Sequence, residues 1–589
     1  MHVLLSSMSD PKTGTLRTHI RVLWSFARPH SGSIALGLSL GLVTTGAALA
    51  TPLATKWVMD SLGGDLDLSK PIGLLLILLV IGSAAAFAQW YVLGRAAERI
   101  VLNARVSLVE RFFRAKLQQI HRFRTGELVT RVTSDTVLLR EAATTSVVQI
   151  INGIVSVVGT IILMAVLDVP LVLATLAAVL LVGAILGGIM PFIGKADRQA
   201  QEALGDLGGS LEGGIRAIRT VKSSRAEDRV IDDVTSQAHI AAKHSLRSVL
   251  ISSTAWTIAA VGIQLVIIAI IGIGAWRIGE DALAVSTLVA FLLYAYNLID
   301  PISDMTMAFT QLQSGLAAAA RIHETEDLDL EDLDKRAVNS RPEPANTKSV
   351  LELENVTARY DDAPTPALNG ISLRIPRTGH TAFVGPSGAG KTSVFSLLLR
   401  FLEPESGTVK LDGVSYQNWN IDEVRRRIAY VEQETPVVPG TVRDNVSFRD
   451  PSASDDEVWD ALEAVHLAET IRALPDGLAT SVAATSLSGG ERQRLAVARA
   501  LIRPPEVLLL DEATAQLDGI TEAAIQTAIA KAARNGAVVT IAHRLSTVID
   551  ADTIFIIDQG QVRDFGTHAD LYERDELYRE FIAALRISV

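Results

Sequence analysis

Six long apolar segments in the first 310 residues constrain the fold more than any other feature of this chain. The hydrocarbon core of a bilayer is about 30 Å thick, so a helix needs about 20 apolar residues to cross it. The segments have about that length and cover residues 34–58, 73–93, 146–166, 169–193, 249–276 and 285–308. The sequence therefore predicts a transmembrane domain at residues 31–324, built as an all-α bundle of six membrane-spanning helices.

The loops between the apolar segments predict how the bundle is oriented. Basic residues are concentrated in the two long loops, residues 94–145 and 194–248, whereas a short loop on the other side is acidic at residues 60–67. Because cytoplasmic loops carry the excess of Lys and Arg, we expect both long loops and both termini in the cytoplasm. Apolar residues at helical spacing predict that the long loops are helical and turn at Gly126 and at residues 205–214.

Two shorter segments complete the N-terminal half. Only Leu167 and Asp168 separate the third and fourth apolar segments, which predicts a tight hairpin there. Residues 1–30 lack the pattern of a secretory signal peptide. Residues 16–28 are basic on one side and apolar on the other, as in a short interfacial helix. A plain helical connection to the first span is an equally good interpretation of that segment.

Composition excludes several classes of function. The chain has 589 residues, a formal net charge of −11 and no cysteine. Without cysteine, thiolate catalysis, zinc–thiolate sites and iron–sulfur clusters are excluded. The negative charge argues against nucleic acid as the main partner. An acidic and then Pro-containing stretch at residues 325–349 predicts a linker, so a soluble domain is expected at residues 350–589.

The soluble domain contains a glycine-rich loop that follows a short apolar strand, residues 382–384, and precedes a helical run, residues 394–402. This is the G-x-x-x-x-G-K-[ST] pattern in the strand-to-helix context that it requires. Its glycines let backbone amides converge on phosphate oxygens at a helix N-terminus. Lys391 would neutralise the phosphates, and Thr392 or Ser393 would reach Mg²⁺. The predicted phosphate-binding residues are Gly385, Pro386, Ser387, Gly388, Ala389, Gly390, Lys391, Thr392 and Ser393.

Two further motifs predict chemistry around the same nucleotide. The run Val507–Asp511 is continuously apolar until its last residue and predicts a strand buried on both faces, followed by Glu512. Asp511 would hold Mg²⁺, and Glu512 would orient or deprotonate the attacking water. Ser488 is placed to cap a helix that runs to about Leu501, with two glycines that allow close backbone approach. That helix end predicts a second phosphate-binding surface, for a nucleotide held by another copy of the chain; its residues are Ser488, Gly489, Gly490 and Gln493.

Together, the phosphate loop, the Leu-Ser-Gly-Gly-Glu-Arg-Gln stretch and the Leu-Leu-Leu-Asp-Glu run resemble the ATP-binding cassette (ABC) transporters over residues 15–585. The resemblance implies that Tyr360 stacks on adenine and that Gln433 senses Mg²⁺ and contacts the membrane domain. It also implies that His543 acts as a switch at the γ-phosphate and that residues 515–518 cross the dimer interface. The implied catalytic residues are Glu512, His543, Gln433 and Lys391, and the implied Mg²⁺ ligands are Thr392, Gln433 and Asp511.

The fold class that follows is a membrane bundle of six helices fused to a cytosolic α/β P-loop ATPase domain. The chain departs from the family pattern in two places: residues 481–486 lack the usual acidic, glycine-containing stretch, and Gln516 replaces a small residue. Both positions concern communication between cassette and opposing loop. Since Glu512 and His543 are present, the motifs of a hydrolysing subunit are complete.

The order of membrane half and cassette is similar to the exporter branch of the family, which implies ATP-driven export of hydrophobic or amphipathic compounds, drugs or lipids, across the cell membrane. Because one chain holds one cassette, we expect a dimer, with a homodimer the economical form and a heterodimer open. A dedicated peptide or natural-product exporter, an importer on the same fold, and an ATP-gated channel remain alternatives. Polar residues inside the spans are the candidate substrate contacts, with Asp300 favouring cationic amphiphiles; they are Asp300, Asn297, Gln149, Asn152 and Gln264.

Overall fold

The structure is a computed structural model, and it describes residues 16–62, 68–331, 348–361, 363–482, 487–512, 519–542 and 544–587. The described chain divides into two compact units. The first contains the chain up to Glu110 together with Thr125–Asp327, and the second contains Arg111–Arg124 together with the chain from Leu328 onward. The short segment Arg111–Arg124 therefore belongs with the soluble domain, although it lies between two spans in sequence.

The described residues of the N-terminal part of the chain form helices joined by short turns. Its helices are α1 Leu16–Ala27, α2 Ser31–Leu62, α3 Ser69–Arg114, α4 Leu117–Ile120, α5 Thr125–Thr130, α6 Thr136–Glu141, α7 Val147–Leu167, α8 Val169–Arg216, α9 Ile218–Ser223, α10 Glu227–Gly279, α11 Val285–Asn297 and α12 Ile299–Glu326. Among the described residues, six helical segments are long and apolar enough to cross a membrane: Ile20–Leu62, Ser69–Arg114, Thr125–Leu167, Val169–Arg216, Glu227–Gly279 and Val285–Glu326. Each contains one predicted apolar run, so the prediction of six spans is confirmed.

The hairpin between α7 and α8 is held by a single carboxylate. Asp168 Oδ1 accepts a hydrogen bond from the backbone N–H of Leu171 at 2.8 Å, and so caps the N-terminus of α8. Asp168 Oδ2 accepts from Arg277 Nη2 at 2.9 Å, which ties the hairpin to the end of α10. The predicted tight turn at Leu167 and Asp168 is therefore present.

The two long loops turn differently from each other. Near Gly126 the chain turns just ahead of α5, as predicted. The expected turn at residues 205–214 is wrong, because α8 continues without interruption to Arg216 and the reversal is made by α9. Glycine lowers helix stability by only about 1 kcal/mol per residue, which the long helix tolerates when its neighbours are good helix formers.

A cluster of charged residues joins the α5–α7 segment to α12. Arg131 is almost fully buried and donates to Glu127 at 2.6 Å and to Glu324 at 2.8 Å. Asp135, also buried, accepts two hydrogen bonds from Arg321, from Nε at 2.9 Å and from Nη2 at 2.6 Å. Residues 131–135 form a wide π-helical turn, an irregularity that often marks a functional position in a helix.

The soluble unit is an α/β domain with two sheets. Its strands are β1 Ser349–Ala358, β2 Leu368–Pro376, β3 Gly379–Val384, β4 Ser406–Leu411, β5 Val414–Ser415, β6 Ile428–Val431, β7 Val507–Asp511, β8 Ala537–Ile541, β9 Thr553–Asp558 and β10 Gln561–Gly566. Its further helices are α13 Lys391–Leu398, α14 Ile421–Arg427, α15 Val442–Val446, α16 Asp455–Ala464, α17 Ala468–Arg472, α18 Gly489–Leu501, α19 Gly519–Asn535, α20 Leu545–Ile549, α21 His568–Arg574 and α22 Glu576–Ile587.

The larger sheet positions the functional residues. Its strand order is β10-β9-β3-β8-β7-β6, and β9, β3, β8, β7 and β6 are parallel to their neighbours within that run. The side chains of β7 and β8 are buried along their whole length, as in a parallel sheet covered on both faces. Since parallel strands end at the same edge of a sheet, the residues that follow β3, β6 and β7 are brought to one crevice.

Candidate functional site

The glycine-rich loop leaves the carboxyl end of β3 and leads directly into α13. Three of its glycines have positive φ: Gly385 at +149°, Gly388 at +80° and Gly390 at +101°. A Cβ at Gly385 would overlap the carbonyl oxygen of Ile557, and a Cβ at Gly390 would lie 2.7 Å from the carbonyl oxygen of Ala367. Only glycine fits these positions, and the resulting curve is the type of loop that wraps a phosphate chain.

Lys391 lies at the first position of α13 and is buried. Its Nζ donates to the carbonyl oxygens of Gly385 and Pro386, at 2.7 and 2.9 Å, so the ammonium is held inside the loop. Burial lowers the pKa of Lys391, while the negative charges of Glu512 and Asp511 act in the opposite direction. The loop therefore presents a cation against the two carboxylates that end β7.

Asp511 is the last residue of β7 and is buried beside α13. The pKa of Asp511 is raised to about 6, chiefly by burial and also by the neighbouring charge of Glu512, while a hydrogen bond with Thr392 and the charge of Lys391 oppose the rise. Of the two hydroxyls predicted to reach Mg²⁺, only Thr392 faces Asp511 in this way. Ser393 is buried and instead accepts a hydrogen bond from the Tyr360 hydroxyl at 3.3 Å.

Glu512 is held by two glutamines. Its Oε2 accepts from Gln433 Nε2 at 2.9 Å, and its carbonyl oxygen accepts from Gln493 Nε2 at 3.2 Å. Its backbone has a φ of +49°, a left-handed conformation that costs a residue with a Cβ about 1–2 kcal/mol. Strain of this kind at the end of a strand is typical of functional positions. The two predicted residues Gln433 and Glu512 are thus brought into direct contact.

The N-terminus of α18 is exposed and capped by its own residues. Ser488 Oγ accepts from the Glu491 N–H at 3.3 Å, and Glu491 Oε2 accepts from the Ser488 N–H at 2.7 Å. This capping box fixes the direction of the helix end. Gln493 is placed differently from the prediction, since it is buried inside the domain and contacts Glu512 rather than facing outward with Ser488.

A signal for the inward position of Gln493 was present in the sequence. Gln493 shares one helical face with Ala496, Val497 and Ala500, which are spaced three, four and seven residues after it and are all buried. The same periodicity that predicts the helix also predicts that this glutamine lies on its packed face. Its role is therefore to support the loop that carries Glu512.

Tyr360 follows β1 and lies on the wall of a cleft of about 1040 Å³ within the soluble unit. Its hydroxyl donates to Ser393 Oγ and, at 3.4 Å, to Ser396 Oγ, which places the ring beside α13. The ring is about one-third exposed and borders the cleft. None of the phosphate-loop residues 385–392 lines this cleft, and the stacking role predicted for Tyr360 stays a prediction.

Some predicted residues lie outside the part of the chain that the structure describes. These are His543, residues 515–518 with Gln516, and residues 483–486 of the divergent stretch. Ser481, just before that stretch, pairs with Thr441 in an isolated β-bridge. The roles predicted for His543 and residues 515–518 stay predictions.

The polar residues predicted inside the membrane unit do not converge on one place. Gln149 and Asn152 line a cavity of about 360 Å³, together with Asp304 of α12. The other three, Asp300, Asn297 and Gln264, do not line that cavity and are exposed on the membrane unit. Asp304 lies one turn further along α12 than Asp300, and the substrate role predicted for Asp300 stays a prediction.

Comparisons with known proteins agree with this arrangement. A family described as ABC transporter transmembrane region matches residues 34–302, and a family described as ABC transporter matches residues 368–515. The chain is 30% identical to a multidrug resistance ABC transporter ATP-binding and permease protein of Lactococcus lactis, covering 96% of this chain and 95% of that protein. It is 28% identical to an ATP-dependent lipid A-core flippase of Ralstonia nicotianae, covering 98% of both chains.

Among solved structures, the chain is similar to a bacterial Atm1-family ABC exporter with ATP bound. The TM-score is 0.73 at 26% identity, covering 95% of this chain and 98% of that one. The similarity extends over the spans and the cassette alike, so membrane bundle and ATPase domain are both accounted for. The chain therefore belongs to the ABC transporter family, as a multi-pass membrane protein that binds ATP and couples its hydrolysis to transport.

Proposed function

We propose that this chain is a half-transporter that exports hydrophobic or amphipathic compounds, drugs or lipids, by alternating access. The observation that carries the proposal is the meeting of Lys391, Asp511, Glu512 and Gln433 at one edge of the sheet, in a chain with six apolar spans. The relatives named as a multidrug transporter and as a lipid A-core flippase support this class of cargo.

The residues at the sheet edge fit ATP with Mg²⁺. The positive-φ glycines of the loop leave no side chain between the backbone and a phosphate chain. Thr392, Asp511 and Gln433 offer hydroxyl, carboxylate and carboxamide oxygens, which are the ligands that Mg²⁺ prefers. When bound, Mg²⁺ would neutralise charge that develops on the phosphate oxygens. Lys391 would contribute the second positive charge from inside the loop.

Glu512 is the group placed to act on the attacking water. Its carboxylate would orient that water and accept its proton as the oxygen attacks the γ-phosphorus and the bond to ADP breaks. Gln433 holds the carboxylate from one side, and Gln493 holds its backbone from the other. Both contacts limit the freedom of Glu512, so little reorganisation is needed at the reacting atom.

A second copy of the chain would complete each site. At the N-terminus of α18, Ser488 is exposed, and the backbone amides of Gly489 and Gly490 lie beside its capping box, where they would suit the γ-phosphate of a nucleotide bound by a partner cassette. We infer a homodimer, because one chain contains both the phosphate loop and the signature helix. Closure of the two cassettes on ATP, and release after hydrolysis, would drive the spans between two states.

The first long loop is suited to carry this motion. Arg122 Nη2 donates to the Asp361 carboxylate at 2.9 Å, and Asp361 is the residue after Tyr360. Gln119 Nε2 donates to Asp329 at 2.8 Å, within the same compact unit. A change at the adenine site would therefore reach a segment that continues directly into α3 and α5.

The basic loops support a cytoplasmic cassette, with the spans in the cell membrane.

Hydrolysis can be tested with the purified chain in proteoliposomes. We expect Glu512→Gln to lower the ATPase rate by about 10²- to 10⁴-fold, the usual contribution of a positioned general base, with ATP affinity unchanged. The matched control is Glu573→Gln, an exposed glutamate in α21 that is far in sequence from these motifs and should leave the rate unchanged. A rate within threefold of wild type for Glu512→Gln would refute the role of this residue.

Closure can be tested by spin labelling, since the chain has no cysteine of its own. A single Glu573→Cys label on each copy gives one inter-copy distance. We expect that distance to shorten when ATP and Mg²⁺ are added to the Glu512→Gln background. An unchanged distance, or a monomeric mass in lipid nanodiscs with full ATPase activity, would contradict the proposed homodimer.

A further inference from the structure

The third span, Thr125–Leu167, is not a uniform α-helix. It contains two π-helical turns, Arg131–Asp135 and Ala142–Ser146, on either side of α6. They are named here the first and the second π turn. A π turn bonds residue i to residue i+5 instead of i+4, so each holds one residue more than an α-helical turn. The third span therefore carries two residues in excess of a regular helix.

The helix opposite shows what the extra residues do. Arg131 donates to Glu324 at 2.8 Å, and Ser146 Oγ donates to Gln311 Oε1 at 3.3 Å, so α12 is anchored at both π turns. Arg131 and Ser146 are 15 positions apart in sequence, whereas Glu324 and Gln311 are 13 positions apart. The mismatch is two residues, one for each π turn. At 1.5 Å per residue, the two turns together store about 3 Å of helix length.

The first π turn is held by a side chain of another span. Arg105 of α3 donates from Nε to the Val132 carbonyl oxygen at 3.2 Å, and from Nη2 to the Thr133 carbonyl oxygen at 3.4 Å. The Thr136 hydroxyl also donates to the Val132 carbonyl oxygen, at 2.7 Å. In an α-helix these carbonyls would accept from the backbone amides four residues further on. Arg105 and Thr136 compete with those amides and therefore favour the π form.

The second π turn is a fixed point. Four of its five residues are buried, and both α1 and α12 pack against it. A Cβ at Gly315 of α12 would overlap the Ala142 Cβ and would lie 2.8 Å from the Leu138 carbonyl oxygen, so the two helices approach at backbone distance. In the first π turn, by contrast, Thr133 and Ser134 are exposed. The first π turn, and not the second, has room to change shape.

We propose that the first π turn is a length switch, which converts to α-helix when the cassettes close on ATP and is held in the π form by Arg105 between cycles; this rests on the transport cycle proposed above. The chain enters α5 directly from the segment Arg111–Arg124, which belongs to the soluble unit. A pull on that segment favours the longer form, because conversion advances α5 by about 1.5 Å and turns it by about 100°. Helix shifts of about 1–2 Å are typical of switching proteins.

The anchor pairs decide where the movement stops. Asp135 ends the first π turn and accepts two hydrogen bonds from Arg321, so it stays in place when the turn converts. Arg131 moves by one residue and separates from Glu324, whereas its bond to Glu127 persists because both residues move together on one helix. Glu324 has 57% of its side chain exposed, so water solvates it after separation and the loss is small.

Deletion of Thr133 tests the switch directly, because it removes the extra residue and leaves an α-helix in the register that the anchors need. We expect this variant to fold, to dimerise and to keep its basal ATPase rate within twofold of wild type. ATP-driven uptake of ethidium, an amphipathic cation, into inside-out vesicles should fall at least tenfold, since nothing remains to convert. Thr133→Ala, which keeps the length, should transport within twofold of wild type.

The matched control removes one residue from the opposite helix. Deletion of Gln313, an exposed residue of α12, raises the mismatch to three residues and should prevent folding, measured as loss of dimer in size-exclusion chromatography. Equal folding defects for the Thr133 and Gln313 deletions would overturn the proposal, because Thr133 would then not be in excess. Wild-type ethidium uptake by the Thr133 deletion would also overturn it.

Hydrogen–deuterium exchange reports the conversion itself. In the Glu512→Gln chain in nanodiscs, ATP and Mg²⁺ should change the exchange rate of amides 132–137 at least threefold. These amides should not respond when Thr133 is also deleted, because that helix is already regular. Arg105→Gln should show the ATP-like exchange without nucleotide, whereas Arg99→Gln, which changes an exposed arginine of the same helix, should not.

The exchange measurement separates this proposal from the proposed function. No response of amides 132–137 to ATP in the closed Glu512→Gln chain would overturn the switch and leave export standing. The expected exchange response in a chain that moves no amphiphile with ATP would refute export and leave the switch standing.

Discussion

Replacing Asp135 by asparagine removes one charge from a buried pair and leaves the shape of the side chain unchanged. Asp135 has 3% of its side chain exposed, and it accepts bonds of 2.6 and 2.9 Å from Arg321 of α12. A hydrogen bond to a charged group contributes about 1.5–3 kcal/mol. Asparagine keeps one acceptor oxygen, and Arg321 is 43% exposed and can be solvated. Because one bond can persist, the expected loss is that of a single such bond, about 2 kcal/mol.

The assay is hydrogen–deuterium exchange of the full chain in nanodiscs. A loss of about 2 kcal/mol in local opening free energy corresponds to exchange that is about 30-fold faster, since each 1.4 kcal/mol is a factor of ten. The acceleration should be confined to α6 and to the half of α12 that carries Arg321. Amides of α13 in the cassette serve as an internal reference and should not change.

The matched control is an ion pair of the same chemistry that lies in water. Arg216 and Glu212 are joined at 2.6 Å near the end of α8, with 80% and 70% of their side chains exposed. Exposed pairs contribute little, because water solvates both charges. Glu212→Gln should leave exchange in α8 unchanged. Equal effects for Asp135→Asn and Glu212→Gln would refute the reasoning that burial makes the Asp135 pair strong.

Two further predictions concern the cassette. Gly385→Ala places a Cβ onto the Ile557 carbonyl at positive φ, so nucleotide affinity measured with a fluorescent ATP analogue should fall at least tenfold. Gly388→Ala should lose less affinity, because nothing lies within 4 Å of its added Cβ; equal losses would contradict the steric explanation. Burial lowers the pKa of His380 below its usual 6.5, although the charges of Asp552 and Asp550 act in the opposite direction. The unfolded chain therefore binds a proton at His380 more readily than the folded chain does. The unfolding temperature of the cassette should therefore fall as pH drops below 6.5, and His380→Gln should flatten that dependence; an identical pH profile would refute it.

The nucleotide site was largely predictable because its motifs are local. The glycine spacing around Lys391 specifies a loop between a strand and a helix, and the apolar run before Asp511 specifies a buried strand. Both elements were found where the sequence placed them. What could not be predicted was that Thr392 rather than Ser393 faces Asp511, since either hydroxyl fits the motif and only packing against Tyr360 separates them.

The wrong prediction of a turn at residues 205–214 has a physical cause. Glycine permits a turn but does not require one, and the choice depends on what the neighbouring helix offers. In the structure, α10 packs along α8. A Cβ added to Gly214 of α8 would lie 3.2 Å from Val230 of α10. Those contacts between distant parts of the chain keep the helix continuous.

By itself, the sequence determined the number of spans, the hairpin at Asp168 and the identity of the phosphate loop, because apolar length and short motifs act over neighbouring residues. Only the tertiary structure decided which side chains meet. Gln433 and Gln493 lie on different elements and both contact Glu512, while Asn152 and Asp304 lie on different spans and line one cavity. Such meetings depend on strand order and helix packing, which join residues far apart in sequence and leave no local pattern to detect.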